Sequence, residues 1–342
     1  MTTIMTTRRA VLAGMGGLSA LTLAGRMARA AAPGAVNVGF FTETKPTMIA
    51  KGEGWFDDAV KAKIAWTEMG SGAEINTAIT AGSCDIGLAT GSVATAAAIA
   101  QGLPLQLIGM VDNIGPAEEL VVRTSAGLKT PADFKGKKLA TPFGSTSHFR
   151  LLGFLKTNGL TQRDVTVLDM KPAAIDAAWS RGEIDGAYVW SPAKAKLLAA
   201  GGERYKTWDV LEKAGYVIAD LIVVRTAFAQ SYPDAVSAFL GAYGKARDMY
   251  RQKPDAAADI VAKQAGVSAA VAAADLKEYD FVSLKDQLTP RWLGEPGKAG
   301  KFAETLKSTA DFLVEQKSIK SAPALDAFQK AIHTEFLAKV AT

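Results

Sequence analysis

Short runs of β-branched and aromatic residues alternate with segments whose apolar side chains recur at helical spacing, from Val36 to Arg225. Val36-Asn37-Val38-Gly39-Phe40-Phe41 reads as a buried strand, Thr47 to Gly54 as a helix, and Lys63-Ile64-Ala65-Trp66-Thr67 as a second strand. Ser71-Gly72 opens a helix with Ile75 and Ile79 on one face, and Gly82 closes it. Asp85-Ile86-Gly87-Leu88-Ala89 is a strand that runs out at Thr90-Gly91-Ser92, where a helix from Val93 to Gln101 begins. Leu105 to Met110 and Leu120 to Arg123 follow as strands. This alternation predicts an α/β fold built on parallel sheets.

The plan then repeats. Thr130 to Phe134 caps a short helix, Lys138 to Ala140 and Val165 to Leu168 are strands, and Ala173 to Ser180 is a helix closed by Gly182. Asp185 to Trp190 is the strand after it, ending at Ser191-Pro192. Gly82-x-x-Asp85 and Gly182-x-x-Asp185 mark the same helix-to-strand junction in both halves, and we read them as scaffold. Two lobes of similar build face their strand C-termini and helix N-termini across a cleft, where ligands of open α/β sheets bind. The expected lobes are residues 33–117 with 221–342, and 118–220. From Pro233 the chain is almost wholly helical, with Phe281 to Gly294 as a loop or crossing segment. That tail has too few strands for a domain of its own and is expected to pack on the first lobe.

The N-terminus changes the charge balance. Thr6-Thr7-Arg8-Arg9 precedes an apolar run to Ala24, and Ala28-Arg29-Ala30 is a small-x-small cleavage pattern. Residues 1–30 therefore read as an export signal, and the paired arginines point to the twin-arginine route. They hold four arginines and no acids, so 35 basic residues remain against 34 acidic ones, no footprint for nucleic acid. Cys84 is the one cysteine, and two histidines cannot assemble a metal cluster.

No nucleophile elbow, dinucleotide fingerprint or phosphate loop occurs, so a binding role is expected over catalysis. In Thr141-Pro142-Phe143-Gly144-Ser145-Thr146-Ser147-His148-Phe149-Arg150 a strand runs into a helix start bearing three hydroxyls and no acid, a place suited to an anion. Thr42, Ser71, Thr90 and Ser92 occupy similar strand ends and helix starts. Each alone serves as a cap; together they offer neutral donors to one small anion. Asp220 lies inside the apolar run Ile218 to Val224, where a carboxylate needs an explanation, and facing a cleft it holds a cation. Glu118 lies in the segment joining the lobes, and Trp190 can wall the site. His148 is a hydrogen-bond donor to a ligand or a packing residue, while Cys84 and His333 read as structural.

Thr141 to Leu152, taken with Ala173 to Pro192 (which contains Asp185-Gly186-Ala187-Tyr188-Val189-Trp190), closely resembles the taurine-binding proteins of ABC importers. The resemblance extends over Val38 to Thr42, Ser71-Gly72-Ala73, Gly115 to Val122, Asp220 to Arg225 and Thr309 to Lys317. It implies the type II periplasmic binding fold, closure around the ligand, and a sulfonate held by Ser145, Thr146 and Ser147. Carboxylates such as Asp220 and Glu118 would then face the ammonium end. The full expected ligand set is Thr42, Glu43, Ser71, Thr90, Glu118, Ser145, Thr146, Ser147, His148, Trp190 and Asp220. Glu43, where relatives commonly have a small polar residue, and Thr90-Gly91, in place of a Gly-Ser pair, depart from the family's pattern, which either retunes the site toward another aminosulfonate or is compensated elsewhere. The resemblance further implies a periplasmic monomer with no cofactor and no metal, delivering its small-molecule ligand to a membrane permease. The same fold also serves pyrimidine-precursor proteins of thiamine synthesis, some of them enzymes with a cysteine-rich motif, which one cysteine disfavours.

Overall fold

The computed structural model describes residues 32–341; the export signal expected at 1–30 lies outside them. Ten strands form two five-stranded sheets. The first sheet contains β1 (Ala35–Phe40), β2 (Lys63–Glu68), β3 (Ile86–Gly91), β4 (Leu105–Asn113) and β10 (Ala219–Arg225). The second contains β5 (Glu119–Arg123), β6 (Lys138–Thr141), β7 (Thr166–Asp169), β8 (Gly186–Val189) and β9 (Gly202–Tyr205). Their orders, β2-β1-β3-β10-β4 and β7-β6-β8-β5-β9, are the same pattern written twice.

Three neighbouring strands of each sheet pair in parallel, as the alternation predicts, and a fourth runs in the same direction. The fully parallel expectation is wrong for one strand in each. β10 runs antiparallel between β3 and β4, and β5 runs antiparallel between β8 and β9. The chain leaves the first sheet after β4 to begin the second at β5, and returns at β10. Each of these crossing strands enters its sheet from the opposite end, a direction that hydrophobic periodicity does not encode.

The repeated Gly-x-x-Asp does build scaffold. Gly82 and Gly182 hold positive φ values of 75° and 73°, which glycine adopts without steric cost. Asp85 Oδ2 accepts from the Asn37 N–H at the start of β1 (2.9 Å), and Asp185 Oδ2 accepts from the Lys138 N–H at the start of β6 (2.8 Å). Each carboxylate thus satisfies a first-strand donor outside the ladder.

The tail only partly follows expectation. Helices Pro233–Gln252 and Pro254–Ala265 pack against the helices Thr47–Gly52 and Trp55–Val60 beside the first sheet. The helix Phe302–Glu315 also reaches the second: Phe312 meets Phe149 edge-on at 5.0 Å and Tyr216 at 5.4 Å. Within Phe281 to Gly294 a short helix, Leu284–Gln287, forms. The Gln287 amide accepts from the Met110 N–H (2.8 Å) and donates to its carbonyl (2.8 Å), where the β4–β10 register shifts. Cys84 is buried in the core, and burial pushes its thiol up to about 11, an inert state.

Candidate functional site

A small cavity with about 20 Å³ of free space lies between the two sheets, walled by Phe41, Glu43, Gly72, Ala89, Gly91, Ala94, Glu118, Ser145, Thr146, Trp190 and Asp220. That space holds about one water molecule. Six of the eleven residues expected from sequence line it: Glu43, Glu118, Ser145, Thr146, Trp190 and Asp220. Ser71 and His148 line an adjoining, larger groove. Ser147 stands behind Glu118, while Thr42 and Thr90 line neither space.

Three helices begin at this cavity. Gly72 is the first residue of the helix Gly72–Thr80, Gly91 caps Ser92–Ala100, and Ser145 caps Thr146–Thr157. The N–H groups of a first turn have no intrahelical acceptor, and the aligned peptide dipoles favour negative charge there. Close approach across the cleft requires Gly91: a Cβ there would stand 2.9 Å from Thr146 Cγ2. Ala89, also on the wall, holds φ 58°, a left-handed conformation that alanine seldom adopts.

The hydroxyls at Ser145 to Ser147 are already engaged within the protein. Ser145 Oγ donates to the Pro142 carbonyl (2.6 Å) and accepts from the His148 N–H (3.1 Å), the cap role. Thr146 Oγ1 and Ser147 Oγ donate to the two oxygens of Glu118, at 2.7 and 2.8 Å. Burial, reinforced by the charge of Asp220, pushes the Glu118 carboxyl up to about 7 against the pull of those hydroxyls. His148 stacks on Phe143 with ring centroids 4.3 Å apart. Its Nδ1 accepts from the Gly144 N–H, and burial lowers its pKa to about 4, so the ring is neutral at pH 7.

The other side of the cavity holds a group that sequence reasoning missed. Asp220 on β10 stands directly opposite Asp112 on β4. Two like charges so placed repel. Lys45, from the segment between β1 and the helix Thr47–Gly52, is 1% exposed and pairs with both: Nζ is 3.1 Å from Asp112 Oδ2 and hydrogen-bonds Asp220 Oδ2. It also lies 3.5 Å from Glu43 Oε2 and 4.6 Å from the centre of the Tyr279 ring. Burial works against its charge, but Asp112, Asp220 and Glu43 together hold its pKa well above the usual lysine value. Burial drives Glu43 and Asp112 well above the carboxylate range despite Lys45, with Asp220 adding to both. It raises Asp220 as well, again opposed by Lys45. The signal for Asp112 was present: an aspartate directly following the apolar run Leu107 to Val111 is as unusual as Asp220. Lys45 sits in the polar stretch Thr42-Glu43-Thr44-Lys45, where nothing in the pattern marks a lysine for burial.

Trp190 closes the wall, edge-on to Phe41 with centroids 6.2 Å apart and planes at 82°. The cavity thus sets helix N-termini from both sheets beside carboxylates at Glu43, Glu118 and Asp220.

Two mixed sheets of matching order, facing one another across such a cavity, define the type II periplasmic binding fold. The chain belongs to the NMT1/THI5-like family, whose model matches residues 42–257. It is 35% identical over 220 residues to the taurine-binding periplasmic protein of Escherichia coli K12, covering 64% of this chain and 68% of that one. It is 29% identical to a putative aliphatic sulfonates-binding protein of the same organism, over 76% of this chain and 80% of the relative. Among solved structures, the alkanesulfonate-binding protein SsuA of Xanthomonas axonopodis pv. citri, bound to MOPS, superposes with a TM-score of 0.76 at 24% identity, covering 89% of this chain and 100% of that one.

Proposed function

We propose that this chain is the extracytoplasmic solute-binding protein of an ABC importer, and that its ligand is taurine. The observation that carries the reading is the cavity's two-sided chemistry. Three helix N-termini favour a sulfonate, and Glu118, which has hydroxyl donors but no cation partner among the described residues, favours an ammonium, with Asp220 beside it already shared with Lys45. Lobes at 33–117 with 221–342, and at 118–220, close around the ligand, hold it without chemistry and present it to a membrane permease. Export through residues 1–30 by the twin-arginine route puts a monomeric protein in the periplasm. The relatives' names support this reading, the sulfonate class more strongly than the amine. A ligand of about seven heavy atoms, at a ceiling of about 1.5 kcal/mol each, binds no tighter than about −10 kcal/mol, a dissociation constant of tens of nanomolar.

The test is a calorimetric panel of taurine, hypotaurine, ethanesulfonate, nitrate and sulfate. Taurine should bind most tightly and return unchanged in mass. Tight nitrate or sulfate binding with no sulfonate binding refutes the reading, and any turnover refutes its non-catalytic part. Asp220→Ala should weaken taurine more than ethanesulfonate.

A further inference from the structure

The inner wall of the cavity carries more carboxyl groups than the ligand can answer. Glu43, Glu118 and Asp220 face the space, and Asp112 stands immediately behind. All four are 4% exposed or less. Desolvated carboxylates require a cation, a proton or a strong donor set. Glu118 has two hydroxyl donors. Asp220 and Asp112 share Lys45, which is not on the cavity wall and so is in no position to be displaced by solvent. Asp220 therefore already has an ammonium partner before any ligand arrives.

We infer that Lys45 is a specificity-determining residue of this cavity: its ammonium is the resident counter-ion of Asp220 and makes a ligand amine dispensable at that carboxylate. This inference rests on the sulfonate reading and deepens it. With Lys45 present, an amine-free sulfonate leaves Asp220 paired. Without Lys45, Asp220 is answered by the ligand's own ammonium or by taking up a proton, so ligands lacking an ammonium bind only at the cost of that protonation and are disfavoured. A purely structural lysine, there only to hold β4 beside β10, predicts that all ligands weaken together.

The readout is the ratio of dissociation constants, ethanesulfonate over taurine, measured by calorimetry on the folded protein. Lys45→Met should raise that ratio about tenfold or more. Asp220→Asn, which leaves the lysine to Asp112 and Glu43 alone, should lower it by a similar factor. The double variant Lys45→Met/Asp220→Asn removes both charges of a buried pair and should bring the ratio back to within about threefold of the parent. It keeps the inference testable if Lys45→Met alone does not fold. A folded Lys45→Met with an unchanged ratio overturns the inference, as does a double variant whose ratio stays with that of Asp220→Asn. Failure of both sulfonates to bind the parent protein overturns the proposed function, and this inference with it.

Discussion

The two sheets share one strand order and one junction motif, yet their central antiparallel strands carry charge differently. In the first sheet β10 sets Asp220 opposite Asp112, and both are wholly buried around Lys45. In the second, β5 carries Glu119, paired at 3.2 Å with the part-exposed Arg204 of β9, which also meets Glu278 of the tail. A frame repeated for stability thus bears buried, tightly balanced charge on one side and surface-tempered charge on the other. The cavity draws its carboxylates from both crossing regions: Asp220 from β10, and Glu118 from the residue before β5. Position comes from the repeated frame, while the electrostatic character of each side comes from a few side chains.

Four measurements would break or sharpen this contrast. The largest effect is expected at Glu118. Its folded pKa of about 7 exceeds the ordinary 4.5, so between those values the folded state binds more protons than the unfolded one. Stability therefore falls as pH rises through that window, by about 3 kcal/mol in all. Glu118→Gln should flatten this limb in urea titrations at pH 4.5 to 8, and it should also weaken taurine binding. An unaltered limb would mean the second side of the cavity is not strained by charge.

Next comes the shared junction. Asp85 is buried and bonds Arg225 at 2.5 Å besides the Asn37 N–H, whereas Asp185 is half-buried and bonds the Lys138 N–H. Asp85→Ala should cost about 3 kcal/mol by leaving a charged partner behind, and Asp185→Ala about 1 kcal/mol. Equal costs would erase the asymmetry. A smaller effect is expected at His148, whose folded pKa of about 4 lies below the ordinary 6.5. Its contribution is complete above 6.5 and is lost as pH falls through 4, about 3 kcal/mol in all before solvent at this part-exposed site screens it, so His148→Gln should make the acid limb shallower by about 1 to 2 kcal/mol. Smallest is Lys171→Ala: the exposed pair Lys171–Glu74, 2.6 Å apart, joins the two sides across the cleft mouth and should contribute less than about 0.5 kcal/mol.

Much of this architecture is legible in the sequence. Val36 to Phe41, Ile86 to Ala89 and Ala187 to Val189 are recognisable as buried strands because apolar runs bounded by glycine and aspartate leave few alternatives. The direction of β5 and β10 is not legible, since the same apolar run serves a parallel or an antiparallel strand. The short elements β9 and the helices Ala193–Ala199 and Trp208–Lys213 escape for another reason: their patterns are too brief to show a period. At the site, Asp220 stands out against its apolar neighbours, and Ser145 to Ser147 against a helix start. That two of those hydroxyls point at Glu118 is a contact across 28 and 29 residues, beyond the reach of local pattern. Lys45 is the same case in stronger form, since its burial is decided by β4 and β10 far along the chain.

Asp112 and Asp220 stand on strands held by ladder bonds, so neither moves without the sheet. Glu43 and Lys45 stand on the short connection between β1 and Thr47–Gly52. The ligand range of such a protein can therefore drift, or be redesigned, by exchanging two or three residues of one loop while every strand stays as it is. That separation makes the β1 connection the natural place to randomise when a new substrate is wanted from this scaffold.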